Sequence, residues 1–90
     1  MGEEQIAFEE PVGIVEHYYP KAQAAVVRVQ RGELHVGDHI HIVGAHDDVV
    51  EAIERLELDH ESVEVAREGQ SVGVYTPTRV HEHDEVYLVH

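Results

Sequence analysis

The sequence predicts an all-β domain, a small closed antiparallel barrel of six or seven strands. Three observations lead there: short apolar runs separated by Gly, Pro and Asp from Val12 onward, apolar/polar alternation within several of those runs, and no internal repeat or low-complexity linker to divide them. Ninety residues are enough for one domain. We assign residues 12–90 to it and read residues 1–11, "MGEEQIAFEEP", as a flexible acidic arm anchored at most by Ile6 and Phe8.

Taken in order, "VGIVEHYY" (12–19) stops at Pro20 and is followed by "AQAAVVRVQ" (22–30), whose odd positions Ala25, Val27 and Val29 are apolar. These two read as a hairpin. "HVGDHIHIVG" (35–44) sets Val36, Ile40 and Ile42 at one parity and His35, His39 and His41 at the other, so the isoleucines face a core and the histidines face water. "SVGVY" (71–75) offers Val72 and Val74, and "DEVYLVH" (84–90) offers Val86 and Leu88, each set on a single face. Residues 47–60, "DDVVEAIERLELDH", can be read two ways. Val49, Val50, Ile53 and Leu56 fall at helical spacing among good helix formers. As a strand, the apolar face must switch parity near Glu54 and Arg55, which calls for a β-bulge. The inward set for a barrel is then Val27, Val29, Val36, Ile40, Ile42, Leu56, Leu58, Val72, Val74, Val86 and Leu88.

Nineteen acidic residues against six basic ones give a net charge of -13, and Lys21 is the single lysine. A field of that sign repels phosphate backbones, so nucleic acid is not an expected partner. It also repels itself, which suits high intracellular salt, where screening shortens to roughly 3 Å at 1 M. There is no cysteine, so thiol chemistry is excluded. No apolar run approaches the ~20 residues of a membrane helix, and the acidic start lacks the basic and apolar regions of a secretory signal. The cytoplasm is the expected compartment.

Nine histidines in ninety residues raise the question of a metal. His39 and His41 stand two apart on one strand face, about 7 Å from each other, and could share a Zn²⁺ if a neighbouring strand added His35, or His81 or His83 of "HEH". A closed structural site usually includes Cys, however, and a catalytic one needs a pocket that so short a chain can hardly form. The expectation is therefore surface histidines with no metal and no cofactor. The neighbours Asp59, His60 and Ser62 read as a polar turn, because catalytic groups that meet in space are seldom so close in sequence. The carboxylates are abundant without focus, and no catalytic residue is assigned. Tyr18, Tyr19, Tyr75 and Tyr87 are the candidate anchors for a protein partner, since Tyr is favoured at interface hot spots.

The order "GELHVGDHIHIVG", "VEVAREGQSVGV", "VHEHDEVYLV" resembles the β-barrel second domain of translational GTPases such as elongation factor Tu. It is still more similar to the small stand-alone translation elongation factor-like proteins, which in turn resemble the C-terminal domain of collagenase-like peptidases. The resemblance spans residues 12–89. It places Gly32 in a turn, Gly37 and Asp38 in a tight "VGD" lead into a strand, and Gly44 at that strand's end. Ala66 and Gly69 fall in a short helical turn and loop, and Asp84, Val86 and Tyr87 in a closing "GDxVY" element. It also makes residues 47–60 one long strand, so the bulged strand is preferred to the helix. Gln70 stands where the family commonly has Asp, His83 where it commonly has Gly, and outward lysines have become Glu or His. The chain has no GxxxxGK[ST] loop, so GTP binding does not carry over. The resemblance implies a non-catalytic binding module docked to a larger protein, such as a collagenase-like peptidase. The rival readings are a translation-linked accessory contacting tRNA or ribosome, and a histidine-based metal-binding protein.

Overall fold

A computed structural model describes residues 8–90; Met1 to Ala7, and with them Ile6 and most of the expected arm, lie outside the described residues. The chain is all-β. Its ten strands are β1 (Glu9–Tyr19), β2 (Ala24–Val29), β3 (Glu33–His35), β4 (His39–Val43), β5 (Asp48–Ala52), β6 (Leu56–Leu58), β7 (Glu61–Val63), β8 (Val65–Arg67), β9 (Ser71–Tyr75) and β10 (Glu85–Val89). Eight form one antiparallel sheet in the order β5-β4-β10-β1-β2-β9-β6-β7, and β3 pairs with β8 apart from it. The count exceeds the six or seven expected because the short 33–35, 61–63 and 65–67 segments lack an alternation long enough to be recognised. The hydrogen-bonded order runs from β5 to β7 without returning on itself.

β1 starts three residues earlier than the expected domain boundary. Glu9, Glu10 and Pro11 pair with Val89, Leu88 and Tyr87, the Phe8 carbonyl accepts from the His90 amide at 3.0 Å, and the two rings stack at 4.9 Å. Two register shifts follow, between Pro11 and Gly13 against β10 and between Val15 and His17 against β2. Each adds a residue and deepens the local twist, which lets one strand serve a strongly curved sheet. β1 and β2 form the expected hairpin, closed by the Gln23 amide on the Pro20 carbonyl at 3.1 Å.

Residues 47–60 are neither a helix nor one long strand. β5 pairs with β4, while β6 pairs with β9 and β7, and Ile53, Glu54 and Arg55 separate them. Strand pairing overrides the helical spacing, because a helix here would leave β4 and β9 each with one edge unpaired. The parity does switch where expected: Ile53 and Leu56 are both buried, at 2% and 1% exposure. Ala66 belongs to strand β8, opposite Leu34, rather than to a helical turn, and both side chains are fully buried.

Val27, Val29, Ile40, Ile42, Leu56, Val72, Val74 and Val86 are buried as expected, and Val36, Leu58 and Leu88 pack half-buried against them. Val12, Val15, Tyr18, Ala25, Leu34, Ile53, Ala66 and Val80 complete the core.

One turn recurs three times. The amides of His35, Arg67 and His81 are each accepted by the side-chain oxygen of the residue three later: Asp38 at 2.8 Å, Gln70 at 2.7 Å and Asp84 at 2.9 Å. The reciprocal backbone bonds, Asp38 to His35, Gln70 to Arg67 and Asp84 to His81, measure 3.0, 3.0 and 3.2 Å. The third residue is left-handed each time, with φ of 100° at Gly37, 90° at Gly69 and 76° at His83. A strand leaves each turn. The replacement of Gly by His83 thus keeps the geometry and puts a β-carbon where it is disfavoured.

Candidate docking groove and an aspartate–histidine cluster

The outward face of β2, β9 and β6 is built from small residues. Val26 stands opposite Gly73 and Ala24 opposite Tyr75, so side-chain height is missing where Ala and Gly fall. The result is an open groove of about 910 Å³ lined by Tyr19, Pro20, Lys21, Ala22, Ala24, Val26, Glu57, Asp59, His60, Ser71 and Gly73. A smaller hollow of about 190 Å³ shares Ala22, Ala24, Glu57 and Gly73 with it and adds Arg55 and Tyr75. Tyr19 is 52% exposed, with its ring edge-on to His17 at 4.4 Å, and the Arg55 guanidinium lies 4.6 Å from the Tyr75 ring centre. An apolar floor with two tyrosines and charges of both signs around it suits an extended or loop segment of another protein.

Two of the four tyrosines are not on this face. Tyr18 is a core residue, 8% exposed, and its hydroxyl donates to the Thr76 carbonyl at 3.0 Å. The register shift between Val15 and His17 explains this, since one inserted residue turns Tyr18 to the same side as Val15. Burial holds its phenol above the ordinary range. Tyr87 lies on β10 between Pro11 of β1 and His41 of β4, and donates to Glu85 at 2.7 Å. That bond holds its phenol high.

The histidines of β3 and β4 do not converge. His35 meets Glu33 at 3.0 Å, and His39 faces solvent on its own strand. His41 is held between Glu9 on Nδ1 at 2.8 Å and Asp48 on Nε2 at 2.5 Å. Those two bonds, Asp48 first, raise the pKa of the ring. Among the described residues, the one group of three side chains with metal-ligating atoms close together is Asp47, His81 and Asp84. The β4–β10 pairing, Val43 opposite Glu85, carries the 44–47 and 81–84 turns to the same end of the sheet. His81 Nδ1 lies 2.7 Å from Asp47 Oδ2, and the Asp84 carboxyl lies beside them. Burial, then the neighbouring Asp47 carboxyl, raises the pKa of Asp84; the Asp84 carboxyl, helped by His81, lowers that of Asp47. From the sequence alone, His81 and His83 stand only as candidate helpers of His39 and His41. The signal missed there is "HDD" at 46–48 facing "HEHD" at 81–84, two polar turns that become neighbours only once β4 and β10 pair.

The ten-strand fold with its outward groove places the chain in a class of small all-β modules, and the comparisons make the class specific. The description of elongation factor Tu domain 2 matches residues 23–77, and the chain belongs to that family. It is 34% identical over 79 residues to an uncharacterized protease of Methanocaldococcus jannaschii, with 87% of this chain and 19% of that protein aligned. It is 30% identical over 71 residues to a collagenase of Porphyromonas gingivalis, covering 78% of this chain and 20% of the collagenase. The chain therefore spans about a fifth of the length of these relatives. Its fold is similar to the C-terminal domain of a Geobacillus thermoleovorans protein assigned to the U32 peptidases, with a TM-score of 0.79 at 21% identity over 88% of this chain and 91% of that one. Among the described residues, no helix is long and apolar enough to cross a membrane.

Proposed function

We propose that the chain is a non-catalytic β-barrel module that docks to a larger protein of the collagenase-like peptidase type through the Tyr19–Tyr75 groove. In this reading the sheet closes on itself through residues 48–58, whose first half lies on β4 and whose second half lies on β9. The observation that carries the proposal is the open groove of small residues, on a chain that is similar over most of its length to about a fifth of a protease and of a collagenase. The groove supplies what docking needs: small residues on the floor, Tyr19 on the rim, and no Lys except Lys21. The test is affinity capture from native lysate at native salt. A specific band of collagenase-like peptidase should be retained by the wild-type chain and lost with Tyr19→Ala. Gly73→Ala makes a finer probe, because its β-carbon would meet Glu57 only at 3.7 Å and so fills the groove without disturbing the sheet.

Membership of the elongation factor Tu domain 2 family favours a second reading, a translation-linked accessory that contacts tRNA or ribosome. The net charge of -13 weighs against it, since phosphate contacts are made by Lys and Arg.

A further inference from the structure

We propose that Asp47, His81 and Asp84 form a binding site for a divalent transition-metal ion of the Zn²⁺ type, remote from the groove and independent of the docking reading. Their ligand atoms all lie within 4.8 Å of one another. Tetrahedral bonds of about 2.0–2.2 Å place donors roughly 3.3–3.6 Å apart, so an ion enters mainly by adjustment of the exposed His81 ring. Two of the three are already fixed and dry. Asp84 is 3% exposed, and the Asp47 side chain 9%. The turns that carry them are tied by Gly44 amide to Asp47 carbonyl at 2.9 Å and by His81 amide to Asp84 Oδ2 at 2.9 Å. His81, with its side chain 44% exposed, gives the ion a way in. The His46 ring lies edge-on to that of His81, with centroids 5.7 Å apart.

Electrostatics point the same way. Two adjacent, largely buried carboxyls favour a positive charge between them, and among the described residues the one ion pair either of them makes is that of Asp47 with His81. A divalent ion meets that need with two bonds to oxygen and one to nitrogen. One imidazole and two carboxylates, without thiolate, suit Zn²⁺, Co²⁺ or Mn²⁺, whereas Ca²⁺ requires six or more oxygens.

The probe is ZnCl₂ titrated calorimetrically into the full chain, free of any affinity tag. One ion per chain should bind with Kd of about 1 µM or tighter, a range readily held by protein N and O ligands in a preformed site. His81→Gln and Asp47→Asn should each weaken it tenfold or more, while the double variant His39→Gln/His41→Gln should leave it unchanged. Sub-stoichiometric Zn²⁺ added to the wild-type chain should shift the imidazole NMR signals of His81 first, which reads the site even if a variant fails to fold. The proposal is overturned by an absence of binding, by affinity indifferent to His81→Gln and Asp47→Asn, or by first shifts at His39 or His41.

Discussion

Gly44 and Asp84 compete for one place: a β-carbon on Gly44 would lie 1.8 Å from Asp84 Oδ1 and 2.6 Å from its carboxyl carbon. The carboxyl is not free to yield, because its Oδ2 accepts the His81 amide and its backbone carbonyl accepts the Val15 amide at 2.9 Å. Gly44→Ala should therefore cost about 1–3 kcal/mol, the range for overpacking a fixed site. Urea unfolding of the two chains measures it, and a cost near zero would mean that the 81–84 turn is looser than its hydrogen bonds imply.

His83 sits at φ of 76°, where its two counterparts are glycines. A left-handed non-glycine residue carries roughly 1–2 kcal/mol of strain, part of which glycine returns as extra freedom of the unfolded chain. His83→Gly should then stabilise the domain by about 0.5–1 kcal/mol. Its midpoint in urea should rise with an unchanged slope; a lowered midpoint would show that the His83 side chain makes a contact worth more than the strain.

His41 links stability to pH. Asp48 and Glu9 raise its folded pKa above the unfolded one, so the stabilisation is complete below the unfolded pKa near ~6.5 and is lost as pH rises through the folded pKa. Urea midpoints should fall from about pH 6 to about pH 8, and His41→Gln should flatten that fall. An equally steep fall in the variant would assign the effect to other groups.

Salt should matter more at the upper end of that window. Arg forms only two of the ion pairs among the described residues, Arg28–Glu16 at 3.7 Å and Arg67–Glu33 at 3.4 Å; the others rest on His, which is cationic only when protonated. With a net charge of -13, the melting temperature should climb from low salt to about 1 M NaCl, more at pH 8 than at pH 6. A flat response at both would remove the case for adaptation to salt.

How much of this could be read in advance depended on how far each feature reaches along the chain. Period-two runs were legible: Val27 and Val29, Ile40 and Ile42, Val72 and Val74 all point inward because alternation is a property of the strand itself. Tyr18 was misjudged because a single inserted residue in β1 reverses every face after it, and nothing in "VGIVEHYY" marks the insertion. The break at Ile53, Glu54 and Arg55 was visible as a parity switch but not as a change of partner from β4 to β9, which is a long-range choice. The site showed the same limit. The outward histidines were placed correctly, yet the three side chains that converge lie on turns whose proximity depends on β4 meeting β10. Tyr19 and Tyr75 are placed by pairing too, each standing opposite Ala24 of β2, one from β1 and the other from β9.

The most direct test of the docking module is calorimetric titration of the isolated chain against the catalytic region of a collagenase-like peptidase from the same source, with tRNA titrated in parallel. The account predicts one-to-one binding to the peptidase region at about micromolar Kd or tighter, lost with Tyr19→Ala, and tRNA binding weaker than ~10⁻⁴ M at physiological salt. No heat with the peptidase region, together with micromolar tRNA binding that weakens steeply as salt is added, would contradict it and establish the translation-linked reading instead.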